Sequence, residues 1–172
     1  MNVHITSQRG FTIVEIMVAL AVAGILIGLA APAFNEFIAQ RRLTAQVNDL
    51  MVAVQYARSE AGRRGERVSL QAIDADDDTN EWGAGYCVVV DNPGDCDDAL
   101  RMFDATGANT LNANDDLDGV GTLSFNPRGL LAAPVLDAPA TIDLCNPDED
   151  TGRRVVLNMI GRVSSQELDC NP

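Results

Sequence analysis

The chain has 172 residues and a formal net charge of −13, and 47% of its residues are hydrophobic. These values allow one folded domain with an appended element and exclude a disordered chain. From Gln71 onward twenty acidic residues stand against five arginines, which disfavours nucleic acid as a partner because phosphate binding needs clustered positive charge.

An apolar block at residues 11–34 follows a short polar segment. From Ile16 to Phe34 no residue carries a charge, a length that crosses the ~30 Å hydrocarbon layer as a helix. A secretory signal peptide would be cleaved after its apolar stretch. Here the change from polar to apolar falls before that stretch, between Gly10 and Phe11. The block therefore predicts a membrane-spanning segment.

Glu15 does not fit a plain membrane anchor, because it lies inside the apolar block. A carboxylate in lipid costs at least ~2.5 kcal/mol, so an acid at this depth needs a partner. Cleavage after Gly10 would make the α-amino group of Phe11 a cation at a similar depth. The amine of a neighbouring subunit could then pair with Glu15 in a bundle of such helices.

The pattern Arg-Gly-Phe-Thr-x-x-Glu at residues 9–15, followed by an apolar run, resembles the class III signal of type IV pilins and pseudopilins. The resemblance implies that a prepilin peptidase removes residues 1–10 and that Phe11 is N-methylated. It also implies that Glu15 pairs with a neighbour's N-terminus during assembly. Pro32 matches the proline that kinks the helix in these proteins, and a proline does remove one helical hydrogen bond.

Beyond the membrane segment the apolar residues keep a helical period. We predict an amphipathic second half at residues 35–64, within a helix from about Thr12 to about Arg63, with Gly62 and Gly65 as candidate terminators. The predicted core-facing stripe contains Leu43, Val47, Leu50, Met51, Val54 and Ala61.

Residues 65–172 read as a β-rich domain, with short β-prone runs separated by turn residues. The predicted fold is therefore α+β: a long N-terminal helix packed on two antiparallel sheets. The predicted strands are Val68–Ala72, Tyr86–Val90, Leu100–Asp104, Thr122–Phe125, Leu130–Ala132, Thr141–Leu144, Arg154–Met159 and Arg162–Ser165. The predicted acidic loops are Asp74–Asn80, Asp91–Asp98, Leu111–Gly119 and Asn146–Thr151.

All four cysteines lie in the C-terminal half, and no two of them form a C-x-x-C pair. Their even number favours disulfides formed in an oxidising compartment over a zinc site. Three pairings are possible. We favour Cys87–Cys96, which closes a short Pro-Gly loop, and Cys145–Cys170, which ties down the C-terminus.

Several segments together resemble the FimT/FimU/GspH group of minor pilins and minor pseudopilins: residues 32–43, 57–61, 82–90 and 152–170. The resemblance implies a minor type IV pilin that primes or caps pilus assembly with other major and minor pilins. The alternatives are a minor pseudopilin of type II secretion and a pilin for DNA uptake. The implied location is the inner membrane, with the C-terminal domain in the periplasm, and then the pilus filament or its tip. Arg41 and Arg42 follow the apolar block, so the distribution of positive charge does not favour this orientation.

The sequence gives little support to catalysis or to a cofactor. The single histidine, His4, would leave with the leader, and no nucleophile motif or phosphate loop is present. A calcium ion is the one cofactor considered: Asn114, Asp116, Asp118 and Gly119 follow EF-hand spacing but lack the glutamate at the twelfth position.

Some FimT-like pilins act in DNA uptake and have a Gly-Arg-x-Arg pattern near the C-terminus. Here Ser164 replaces the second arginine. Arg153, Arg154 and Arg162 could form a small basic patch on neighbouring strands. Because each phosphate contact needs a cation, three arginines predict weak, salt-sensitive binding at best.

Overall fold

The computed structural model describes residues 10–75, 80–91, 94–147 and 150–170, and gives the backbone alone for 31–33. The leader residues 1–9 lie outside this range. The boundary between the two compact units of the chain falls between Ile38 and Ala39. In the described residues the elements are one long helix, one 3-10 turn and nine strands.

Helix α1 spans Ile13–Arg64, within one residue of the predicted range at each end. It ends at Gly65, which has a φ of +69° and donates its N–H to the carbonyl of Ala61 at 3.0 Å. Glycine adopts this left-handed conformation without steric cost and commonly closes helices. Gly62 lies inside the helix, so its prediction as a terminator is wrong. An interior glycine costs only about 1 kcal/mol, and the helix continues past it.

The part of α1 after Ala39 packs against both sheets. Its buried side chains are Leu43, Val47, Leu50, Ala53, Val54, Ala57, Glu60 and Ala61, and Met51 is partly buried. The predicted stripe is therefore confirmed and is completed by alanines. Ala53 and Ala57, four residues apart, lie fully buried on the same face of the helix.

Nine strands form two antiparallel sheets, a five-stranded sheet of order β3-β2-β1-β5-β6 and a four-stranded sheet of order β4-β7-β8-β9. The core lies between them and α1, and it includes Trp82, Phe125 and Ile142. The strands are β1 (Val68–Ala72), β2 (Tyr86–Val90), β3 (Arg101–Phe103), β4 (Thr110–Asn114), β5 (Thr122–Phe125), β6 (Leu131–Ala133), β7 (Ala140–Cys145), β8 (Thr151–Leu157) and β9 (Val163–Asp169).

Strand β4 is absent from the prediction, which places most of it in the acidic loop Leu111–Gly119. Its residues alternate, with Leu111 and Ala113 buried and polar side chains between them, as a half-buried strand requires. The asparagines, which favour turns, conceal this alternation. The other three predicted acidic loops contain residues outside the described part of the chain.

Glu81 is a fully buried carboxylate that the sequence analysis does not single out. Its Oε2 accepts the backbone N–H of Ala113 at 2.9 Å, and its Oε1 accepts that of Gly119 at 3.2 Å. Hydrogen bonds to a carboxylate are stronger than those between neutral groups. Glu81 therefore fixes the connection that leads from β4 out of the four-stranded sheet.

The ion pairs of Glu60 should make the stability of the fold depend on pH. Its carboxylate accepts hydrogen bonds from Arg63 at 2.6 Å and Arg64 at 2.8 Å, and these lower the pKa of Glu60 from 4.5 to about 2. A lowered pKa gives stability that is fully present above pH 4.5 and is lost as the pH falls toward 2. Glu60→Gln should therefore lower the melting temperature at pH 7, and the gap to the wild type should close between pH 4.5 and 2.

The matched control for Glu60→Gln is Glu66→Gln, an equal change of charge at an exposed glutamate just past the helix. Circular dichroism melts at several pH values measure both variants. A gap that stays constant from pH 7 to pH 2 would contradict the assignment of the two arginines as the cause.

Candidate assembly and processing site

The predicted cleavage boundary lies in an exposed, non-helical segment before α1. Gly10 and Phe11 both precede the helix, and the Phe11 side chain is 79% exposed. Among the described residues, nothing lies within 4 Å of the position that a Cβ on Gly10 would occupy. A peptidase needs an accessible backbone outside regular helix, and Gly10 and Phe11 meet that requirement.

Thr12 caps the start of α1. Its Oγ1 accepts the backbone N–H of Glu15 at 3.2 Å, and its carbonyl accepts that of Ile16 at 3.2 Å. Threonine followed three residues later by glutamate is the sequence signature of a capping box, which the sequence analysis overlooks. Glu15 thus stands in the first helical turn, where the helix dipole also favours a negative charge.

The first half of α1 contains a stretch whose length and composition are sufficient for a membrane-spanning helix. The stretch Ile13–Ala30 has 18 residues, a mean hydropathy of 2.6 and no buried side chains. A continuous apolar surface of this size requires lipid or neighbouring helices to cover it. The side chain of Pro32 lies outside the described residues, so the kink at this position stays a prediction.

Two disulfides stabilise the β domain and follow the pairing favoured above. Cys87 on β2 joins Cys96, and Cys145 on β7 joins Cys170 just after β9. Gly152 on β8 lies under the second disulfide, where a Cβ would collide with the sulfur of Cys170 and the carbonyl of Leu144. The second disulfide joins residues 25 apart in sequence. It restricts the conformations of the unfolded chain and so raises the free energy of unfolding by roughly 3 kcal/mol.

The hypothesis of a calcium site has no geometric support. Asn114 ends β4, and its side-chain amide donates to the carbonyl of Asn112 at 3.5 Å. Asp116 lies in the 3-10 turn, where its carboxylate accepts the N–H of Asp137 at 2.9 Å; Asp118 follows that turn. Within the described ranges no group of three or more His, Cys, Asp or Glu residues is arranged to hold a metal.

The three candidate DNA-binding arginines do not form one patch. Arg153 and Arg154 are consecutive on β8, so their side chains point to opposite faces of the sheet. Arg154 makes two hydrogen bonds of 2.6 Å to Asp143, which raise the pKa of its guanidinium. Arg153 lies 3.9 Å from Glu167, and Arg162 is exposed in the turn before β9. The hypothesis of a common patch is therefore wrong.

A long apolar N-terminal helix continued into a disulfide-bonded antiparallel β domain defines a type IV pilin-like protein. Residues 5–31 match the family model described as "Prokaryotic N-terminal methylation motif". Residues 46–161 match the model described as "Type II transport protein GspH". The second match covers more than half of the chain, and the chain therefore belongs to the GspH family.

Individual relatives agree with this assignment. The chain is 29% identical to "Pilin-like protein PilA1" of Thermus thermophilus over 165 residues, which cover 91% of this chain and 97% of that protein. Two crystal structures of the type IV minor pilin FimU from Pseudomonas aeruginosa match with TM-scores of 0.61 and 0.58 at 26% and 27% identity. They cover 76% and 72% of this chain and 92% of each matched chain. The chain is thus a type IV pilin-like protein of the GspH family and is similar in fold to FimU.

Proposed function

We propose that this protein is a minor type IV pilin that primes or caps assembly of the pilus filament through contacts with other pilins. The observation that carries the proposal is the capped, exposed start of α1, where Glu15 stands one turn after the Gly10–Phe11 junction. In this role residues 11–34 hold the precursor in the inner membrane, with the β domain in the periplasm. After processing they pack among the helices of neighbouring major and minor pilins.

Processing completes the site. A prepilin peptidase cuts between Gly10 and Phe11 and leaves a new α-amino group at Phe11, which is then N-methylated. That cation lies near the start of a helix whose first turn holds one acid. In a bundle, the amine of one subunit pairs with Glu15 of the next, so neither charge stays alone in an apolar environment. Only processed subunits can form this ion pair, because the α-amino group of Phe11 exists only after cleavage.

The type II secretion alternative rests on the family model, whose description names type II transport. The FimU matches favour the pilus. A DNA-uptake role is weaker, because the candidate arginines are separated. Co-purification from detergent extracts distinguishes the two systems, since a pilus subunit should bring down pilins and a pseudopilin should bring down secretion-system pseudopilins.

Mass spectrometry of the mature protein tests the processing step. The expected product begins at Phe11 and carries one methyl group on its amine. Gly10→Val should leave the full precursor in the membrane, because the enlarged side chain blocks the residue before the cut. Gly24→Ala is the matched control, since a Cβ at Gly24 meets nothing within 4 Å; it should be processed normally. A mature chain that begins anywhere else would overturn the proposal.

A further inference from the structure

Two turns with the same hydrogen-bond pattern connect strands of the two sheets. Residues 126–130 join β5 to β6, and residues 158–162 join β8 to β9. Each turn begins with an asparagine, Asn126 or Asn158, whose side-chain oxygen accepts the N–H groups two and four residues later at 2.8–3.2 Å. The fourth residue of each turn is a glycine with a φ of +69° or +78°. Local hydrogen bonds therefore fix the conformation of both turns.

These turns contact each other and the last turns of α1. The Nε of Arg58 donates to the carbonyl of Gly129 at 2.8 Å, which joins the helix to the first turn. A Cβ on Gly161, in the second turn, would lie 3.3 Å from the backbone nitrogen of Leu131, the residue that follows the first turn. The hairpin pole is the name we give to this surface, which consists of residues 58–64, 126–130 and 158–162.

Positive charge dominates the accessible surface of the hairpin pole, although the chain as a whole has a net charge of −13. The pole contains five arginines and one acid, Glu60, which is buried and already paired with two of the arginines. The five arginines are Arg58, Arg63, Arg64, Arg128 and Arg162. Just past the helix, Glu66 and Arg67 cancel each other in charge. The pole therefore attracts an anionic partner.

Apolar side chains are exposed in the same two turns. Met159 is 55% exposed and Ile160 48% exposed in the middle of the second turn, and Leu130 is 38% exposed in the first. Arg128 and Arg162, one in each turn, are also exposed. Apolar side chains flanked by arginines suit the boundary between lipid headgroups and acyl chains, because the apolar groups leave water while the guanidinium groups reach the phosphates. The composition of the pole therefore matches a lipid surface.

Nucleic acid and protein partners fit these residues less well. A DNA duplex would contact the arginines through its phosphates and leave Met159 and Ile160 in water. A protein partner would need a surface shaped to receive two narrow turns, whereas a fluid bilayer adapts to them. From Gln71 onward twenty acids stand against five arginines, so an anionic bilayer repels most of the β domain and orients it with the pole toward the lipid.

We propose that the hairpin pole binds the surface of a bilayer that contains anionic phospholipids. Met159, Ile160 and Leu130 enter the boundary between headgroups and acyl chains, and Arg128 and Arg162 contact the phosphates. Because both turns are fixed by their own hydrogen bonds, little conformational freedom is lost on binding. This binding is additional to the proposed function and does not depend on it, since the pole shares no residue with the processing site.

Vesicle binding by the full-length protein tests the proposal. The protein is held in nanodiscs of phosphatidylcholine, which cover its apolar stretch with neutral lipid, and is mixed with vesicles of phosphatidylglycerol and phosphatidylcholine. Flotation then separates bound from free nanodiscs. We expect binding to these vesicles, weaker binding at high salt, and no binding to vesicles of phosphatidylcholine alone.

A pair of arginine variants measures the contribution of charge. Arg128→Gln combined with Arg162→Gln should weaken binding to the anionic vesicles roughly 30-fold, because each arginine adds attraction to the charged surface. The matched control is Arg42→Gln combined with Arg153→Gln, an equal change of charge outside the pole, which should bind like the wild type.

A second pair of variants measures the apolar contact. Ile160→Asp should weaken binding at least ~10-fold, because a charged side chain cannot enter the acyl boundary. Val135→Asp is its control, since Val135 is 83% exposed and lies outside the pole; this variant should keep the affinity of the wild type.

Several outcomes would overturn the inference: equal binding to neutral and anionic vesicles, binding retained by the double arginine variant, or an equal loss in the controls. So would an Ile160→Asp variant that binds like the wild type while a short DNA duplex displaces the vesicles, since phosphate recognition would then suffice. The lipid and salt dependence of the wild type need no variant, so they test the inference even where a variant fails to fold. Failure of the proposed function is separate, because processing at Phe11 is measured on the mature chain without vesicles.

Discussion

Glu15→Ala and Glu15→Gln should both be processed at Gly10–Phe11 and yet enter filaments roughly 70-fold less than the wild type. This figure follows from a cost of at least ~2.5 kcal/mol for a charge left alone in an apolar environment. Either variant removes the acid and leaves the amine of the neighbouring subunit without its partner. Quantitative mass spectrometry of sheared filaments, normalised to the mature protein in the membrane, measures the ratio.

The glutamine variant separates two roles of Glu15. Thr12 receives the backbone N–H of residue 15, and a glutamine at this position still suits a capping box. If helix capping were the main role, Glu15→Gln would enter filaments normally and only Glu15→Ala would fail. If charge pairing is the role, both fail alike. Glu36→Ala is the control, because it removes an acid from the same helix outside the stretch Ile13–Ala30.

Leu50→Ala should destabilise the β-domain unit by about 2–5 kcal/mol. The Leu50 side chain is fully buried between α1 and the sheets, and its truncation removes apolar contacts and leaves a cavity. Val52→Ala is the matched control on the same helix: Val52 is 44% exposed, and its truncation should change stability by about 0.5 kcal/mol or less.

Urea unfolding followed by tryptophan fluorescence measures both helix variants. Trp82 is the single tryptophan of the chain and is fully buried in the same core, so its emission reports the loss of packing between α1 and the sheets. Equal unfolding midpoints for Leu50→Ala and Val52→Ala would show that this face of α1 contributes little to the unit.

Local patterns were enough to predict α1 and most strands. Short β-prone runs gave β1, β2 and β5 with their observed bounds, because each run is bordered by turn residues. Strand β4 was missed because its asparagines and the aspartates after it look like a loop, and its partner β7 lies thirty residues away. Pairing between distant segments is invisible to local propensity.

The candidate site was predictable to a similar degree. Residues 9–15 carry the processing motif in a single short stretch, so the sequence alone singles out Gly10, Phe11 and Glu15. The role of Thr12 also follows from its spacing to Glu15, because threonine followed three residues later by glutamate is a capping-box pattern.

Every described residue of the hydrophobic core lies at or after Leu43. Side-chain packing inside the β domain therefore does not depend on what surrounds the apolar stretch Ile13–Ala30. If the apolar stretch passes from lipid to neighbouring helices, as the proposed function requires, it moves from one apolar environment to another and the core of the β domain needs no repacking. The free energy of that transfer then depends on the apolar stretch and not on the folding stability of the β domain.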